Sequence, residues 1–171
     1  ASAAMLGWLV VERIKGGHAT TLGGASGAVA GLVAITPCAG FVGGMAPVYI
    51  GLIAGAVCYL ALGLKKAFQF DASLDVVAVP LVGGLVGSLL LGFFADSSIN
   101  PAVVNEGVFL GGGGDLLVDQ LLASVVTLAY SFAASLVIGK VIDLAIGLRV
   151  SDEDEDLGLD LSQHAEVAYA D

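Results

Sequence analysis

The stretch GGHATTLGGASGAVAGLVAITPCAGFVGGMAPVYIGLIAGAVCYLALGL, residues 16–64, runs for 49 residues without an Asp, Glu, Lys or Arg. Residues 76–95 and 120–139 are uncharged as well, 20 residues each. A bilayer core ~30 Å thick takes about 20 helical residues, so each shorter run holds one span and the long run holds two. Thr36-Pro37-Cys38-Ala39-Gly40 supplies the break between those two. Composition agrees, since 57% hydrophobic residues and a mean hydropathy of +0.96 exceed what soluble domains show, and 13% charged residues falls below it. The chain reads as an all-α, polytopic transmembrane helical bundle. Its membrane region is 1–150, with spans at about 21–36, 43–64, 74–95 and 116–148.

Residues 1–11 are apolar but too short to cross a bilayer, and no charged n-region precedes them. Residues 1–14 therefore read as the second half of a helix. A signal peptide is disfavoured because Glu12 and Lys15 follow where a small-residue cleavage site would lie. Threading the chain through the spans alternates its loops between two sides. Arg13, Lys15, Lys65, Lys66 and Arg149 then share one side, and Lys140 lies close enough to snorkel toward it. The excess of positive charge marks that side as cytoplasmic, which places the acidic tail 151–171 in the cytoplasm, and a multi-pass protein of the cell (plasma) membrane is expected.

Lipid gives helices no hydrophobic reason to associate, so close backbone approach at small residues must hold the bundle. The small-xxx-small spacing recurs at Gly23, Gly27 and Gly31, at Gly51 and Gly55, at Gly83 and Gly87, and at Ser131, Ser135 and Gly139. Those four faces predict a tight bundle. Half of the 16 acidic residues follow Val150, and such a negative run argues against nucleic acid and anionic lipid as partners. By charge alone it is a solvated tail. Cys38 and Cys58 fall on different spans and read as free, small, apolar residues.

Three local patterns carry little. Asn100-Pro101-Ala102 matches the tripeptide of water channels, but those need two copies facing each other in mid-membrane and this chain holds one, in an outward loop. Gly111 to Gly114 lacks the Gly-Lys-Ser/Thr of a phosphate cradle. His18 and His164, the only histidines, lie in cytoplasmic segments and supply neither a metal site nor a catalytic triad. No cofactor, no metal and no enzymatic activity is expected.

The sequence TLGGASGAVAGLVAITPCAGFV (21–42) resembles the eighth span of the Amt ammonium transporters, and DASLDVVAV (71–79) resembles the head of their tenth. The segment GLRVSDEDEDLGLDLSQHAEVAY (147–169) is similar to their cytoplasmic C-terminal region. The resemblance covers essentially the whole chain, in family order. It implies a partial chain, the C-terminal half of an eleven-span subunit, beginning midway through span seven. It also implies an apolar path for ammonium or ammonia through each subunit of a homotrimer, with PII-type signalling proteins docking on the cytoplasmic face.

By that resemblance Val76 and Pro80 face the path from span ten, and Ser26 and Thr36 are polar positions supporting it from span eight. Asp75 belongs to the path too, or serves as an N-terminal carboxylate favoured by its helix macrodipole. The family's second pore histidine falls where this chain has Pro80, which offers no titratable ring and no backbone N–H. That departure motivates one alternative, a non-conducting ammonium sensor or regulatory paralogue. Asn100-Pro101-Ala102 motivates another, a small-solute channel. Arg149, with the acidic positions from Asp152 to Asp156, forms the expected regulatory tail, which the resemblance couples to the neighbouring subunit.

Overall fold

Apolar runs with few breakers become helices, and their ends fall where cap chemistry appears. The computed structural model describes residues 1–69 and 74–167; positions 71–73 of the second motif and residues 168–171 of the tail lie outside them. Helix α1 (Ser2–Gly16) stops at Gly17, whose φ of 79° needs no Cβ and whose N–H bonds back to the Arg13 carbonyl. Helix α2 (Thr21–Ile35) starts at Thr20, whose hydroxyl oxygen accepts the Gly23 N–H at 2.9 Å. Glu12 on α1 accepts both the Thr20 N–H, at 3.2 Å, and the Thr20 hydroxyl, at 2.8 Å. The start of α2 is thereby tied to the preceding helix. Helix α3 (Ala46–Phe68) opens with Pro47 in its first turn, where the missing N–H costs nothing.

Helix α1 packs on both α2 and α3, and α2 packs on α3. Glycine permits that closeness. A Cβ at Gly27 would stand 2.6 Å from the Trp8 Cβ, and one at Gly55 would overlap the Ala4 carbonyl oxygen. Most of the buried residues are correspondingly small, with Ala4, Ala30, Ala34, Cys38, Ala54 and Cys58 among them, while Trp8 and Ile50 are the large ones. Dispersion between closely set backbones holds this bundle. Both cysteines are free and buried. The Cys38 thiol donates to the Gly87 carbonyl at 3.2 Å.

After α3 the chain enters a π-helical turn (Val77–Leu81) that runs into helix α4 (Val82–Phe94). Pro80 causes the widening in an explicable way. Having no N–H, it cannot bond the Val76 carbonyl four residues back, and the Leu81 N–H takes that carbonyl instead at 3.1 Å. The segment expected as one regular helix over 74–95 therefore carries a bulge in its first turn. Helix α4 packs on α2 and α3, with a Cβ at Gly87 overlapping the Ala34 carbonyl.

The connection beyond α4 folds on itself. Asp96 accepts the Ser98 N–H at 2.8 Å and its hydroxyl at 2.5 Å, and the Ser98 hydroxyl, foremost, holds the Asp96 carboxyl below the ordinary carboxylate range. Ser97 donates to Glu106. The Asn100 side chain accepts the Ala102 N–H at 3.0 Å, so the Asn100-Pro101-Ala102 tripeptide forms a local turn.

Helix α5 (Asp115–Ile146) has no buried residue along its 32 positions. At ~1.5 Å per residue it extends about 48 Å. The chain divides into two compact units, Ala1–Val125 and Val126–Asp171, with the boundary inside α5. In the second unit the helix ends at Gly147, φ 79°, and two short helices follow, α6 (Asp152–Leu157) and α7 (Leu159–His164). Within this second unit, the Leu148 side chain lies 3.9 Å from where a Cβ on Gly139 would stand.

Candidate functional site

The segment leading into the π-helical turn, the turn itself and the first half of α2 line a groove of about 360 Å³. Leu22, Ala25, Ser26 and Val29 line it from α2; Leu74, Asp75, Val76, Val79 and Pro80 line it from the other side. The spacing explains α2's contribution, because 22, 25, 26 and 29 fall on one face of a helix while Gly23, Gly27 and Gly31 fall on the face against α1. The π-helical turn shapes the other wall. It leaves Val79 buried and Pro80 exposed toward the groove. Leu22 is 78% exposed and Val76 53%, so one side stays open among the described residues.

Of the residues expected on the path, Ser26, Asp75, Val76 and Pro80 meet at this groove. Thr36 does not. Its hydroxyl donates to the Leu32 carbonyl at 2.7 Å, one turn back on its own helix, and it does not line the groove. The Asp75 carboxylate is engaged by Lys65, Nζ to Oδ1 3.4 Å, with the two side chains 39% and 37% exposed. A pair so wet is worth about 0–1 kcal/mol. Sequence reasoning missed Lys65, because ten residues and a change of helix separate it from Asp75 and only the fold joins them.

The groove's chemistry is simple. Among the described residues, one hydroxyl and one carboxylate stand beside an otherwise aliphatic lining, with no imidazole. Among the described residues no cluster of three or more His, Cys, Asp or Glu could hold a metal ion. His18 Nδ1 lies 3.1 Å from the Gly16 carbonyl.

In the tail, Arg149 Nη2 donates to Glu155 Oε2 at 3.0 Å, a partner inside the expected acidic run from Asp152 to Asp156. Ser151 caps α6 by accepting the Asp154 N–H at 3.2 Å, and Asp152 begins that helix. The signal for α6 was present as Ser151 followed three residues on by Asp154.

Three helical segments, Ala46–Lys65, Val77–Phe94 and Asp115–Ile146, are long and apolar enough to cross a membrane. Together with the glycine-set packing they define a membrane helical bundle. The Ammonium Transporter Family model matches residues 1–169, and the chain belongs to that family. It is 48% identical over 173 residues to "Ammonium transporter" of Mycobacterium tuberculosis strain H37Rv, covering 98% of this chain and 36% of the relative. It is 49% identical over 170 residues to "Ammonium transporter Amt1" of Archaeoglobus fulgidus, covering 98% and 42%.

Among solved structures it resembles Saccharomyces cerevisiae Mep2, with a TM-score of 0.80 and 33% identity over 89% of this chain and 35% of that one. Candida albicans Mep2 is also similar, with a TM-score of 0.79 and 29% identity over 96% and 38%. The chain thus spans about two fifths of the curated relatives it matches. Membership points to a transporter rather than an enzyme, and the relatives' names do not favour the sensor or solute-channel alternatives.

Proposed function

We propose that the full-length protein carries ammonium, or ammonia with a separately relayed proton, across the plasma membrane and that this chain supplies one wall of the path. The observation that carries the reading is the groove, where a carboxylate and a hydroxyl stand beside an aliphatic lining. A cation loses hydration on entering such a lining at a cost of several kcal/mol, while neutral ammonia does not bear that cost. Asp75 and Ser26 offer acceptors to the N–H groups of an arriving ion. Val76, Val79 and Pro80 offer none, so the proton has no relay at Pro80.

The remaining parts of the reading are a homotrimer, a cytoplasmic tail, and a PII-type protein docking on that face. Arg149 and the acidic run would make the tail's contacts. The transport reading is tested by methylammonium uptake into cells expressing the full-length protein, with Pro80 and with Pro80→His. Uptake above the empty-vector level with Pro80 present supports it. No uptake by either version at normal membrane expression overturns it. For the tail, removal of residues 151–171 is expected to cut uptake while leaving assembly intact; full uptake would return the tail to a solvated appendage.

A further inference from the structure

The side chain that holds Asp75 and the ion proposed as cargo are chemically alike. Lysine ends in an alkylammonium, a tetrahedral nitrogen with one positive charge and N–H donors, and so do ammonium and methylammonium. Lys65 Nζ lies 3.4 Å from Asp75 Oδ1, and Asp75 is the one carboxylate lining the groove among the described residues. Water reaches both partners, at 39% and 37% exposure, so the pair is screened and exchangeable. Lys65 sits in the last turn of α3, on a flexible stem of four methylenes, so it can release Asp75 by rotating its own side chain without moving a helix.

We infer that Lys65 is a tethered competitor for the groove's carboxylate: it occupies Asp75 while the groove is empty and yields it when an ammonium ion arrives. It is a positioning residue that sets apparent affinity, and it is no part of the path itself. The inference rests on the transport reading of the groove. Two cations cannot both pair closely with one carboxylate at full strength, so binding the ion means displacing Lys65. Removing the tethered ammonium should strengthen binding of the free one.

The test uses the full-length protein. Lys65→Met is expected to lower the KM for methylammonium about three-fold or more, without a matching rise in maximal rate. Lys65→Arg, which keeps the charge, should hold KM near its original value. An unchanged KM in Lys65→Met, at normal expression, overturns the inference. A second readout needs no transport. In Lys65→Cys, labelling by the cationic reagent aminoethyl methanethiosulfonate should be slowed by ammonium chloride relative to sodium chloride at equal ionic strength, and Asp75→Asn should abolish the difference. Protection without uptake in any version would sink the transport reading and leave competition at Asp75 standing. Equal labelling in the two salts would overturn the competition itself.

Discussion

At the residue scale, the glycines divide into those that are obliged and those that are not, and only the fold tells them apart. Gly83, Gly84 and Gly87 look alike in sequence, yet a Cβ at Gly87 overlaps the Ala34 backbone while one at Gly84 meets nothing within 4 Å. Gly87→Ala is expected to cost about 1–3 kcal/mol of stability, and Gly84→Ala to be neutral or slightly stabilising through helix propensity. Thermal unfolding in detergent checks both, and equal behaviour would refute the packing argument. Asp96 gives a second test. Its carboxyl is held below the ordinary range, first by the Ser98 hydroxyl. A depressed folded-state value means stabilisation present above the unfolded value and lost as pH falls through the folded one. Ser98→Ala should raise the Asp96 titration midpoint toward the ordinary carboxylate range, as read by carboxyl carbon NMR.

At the element scale, the all-helical fold was legible because uncharged runs of span length leave few other structures in lipid. What the runs could not reveal was the π-helical turn, since one inserted residue changes neither length nor hydropathy enough to register. Nor could they reveal α6 and α7, which have six residues each and form outside any apolar run. Four expected path residues meet at the groove because they sit at helical spacing on facing segments, whereas Thr36 lies beyond the end of α2. That set came from likeness to relatives, and spacing alone would not have chosen it. The Glu12 link between α1 and α2 was equally hidden, being a side-chain bond across a turn. Glu12→Ala leaves the Thr20 N–H and hydroxyl without their acceptor and should cost about 1 kcal/mol, with Glu12→Gln milder. Chemical denaturation of the two variants distinguishes this from a generic charge effect, which would make them equal.

At the scale of the whole molecule, the distribution of six basic residues makes a directional statement about the membrane. A reporter fused after residue 171 should be cytoplasmic, and a cysteine replacing Asn105 should react with an impermeant reagent from outside. Labelling only after permeabilisation would reverse the orientation. The wide turn at Pro80 also reaches across the bundle, and its effect is clearest in the language of codons. A π-helical bulge is one residue more than an α-helix would need, and one residue is about 100° of helical rotation. The Val76 carbonyl already skips Pro80 to meet the Leu81 N–H. Erasing the Pro80 codon would turn that same bond into an ordinary four-residue step, with Gly83 and Gly87 still facing their neighbours. Erasing the Leu85 codon, which sits inside the regular part of α4, would instead rotate Gly87 away from Ala34 by that full angle. In a library of single-codon deletions scored for membrane expression, position 80 should survive where position 85 does not.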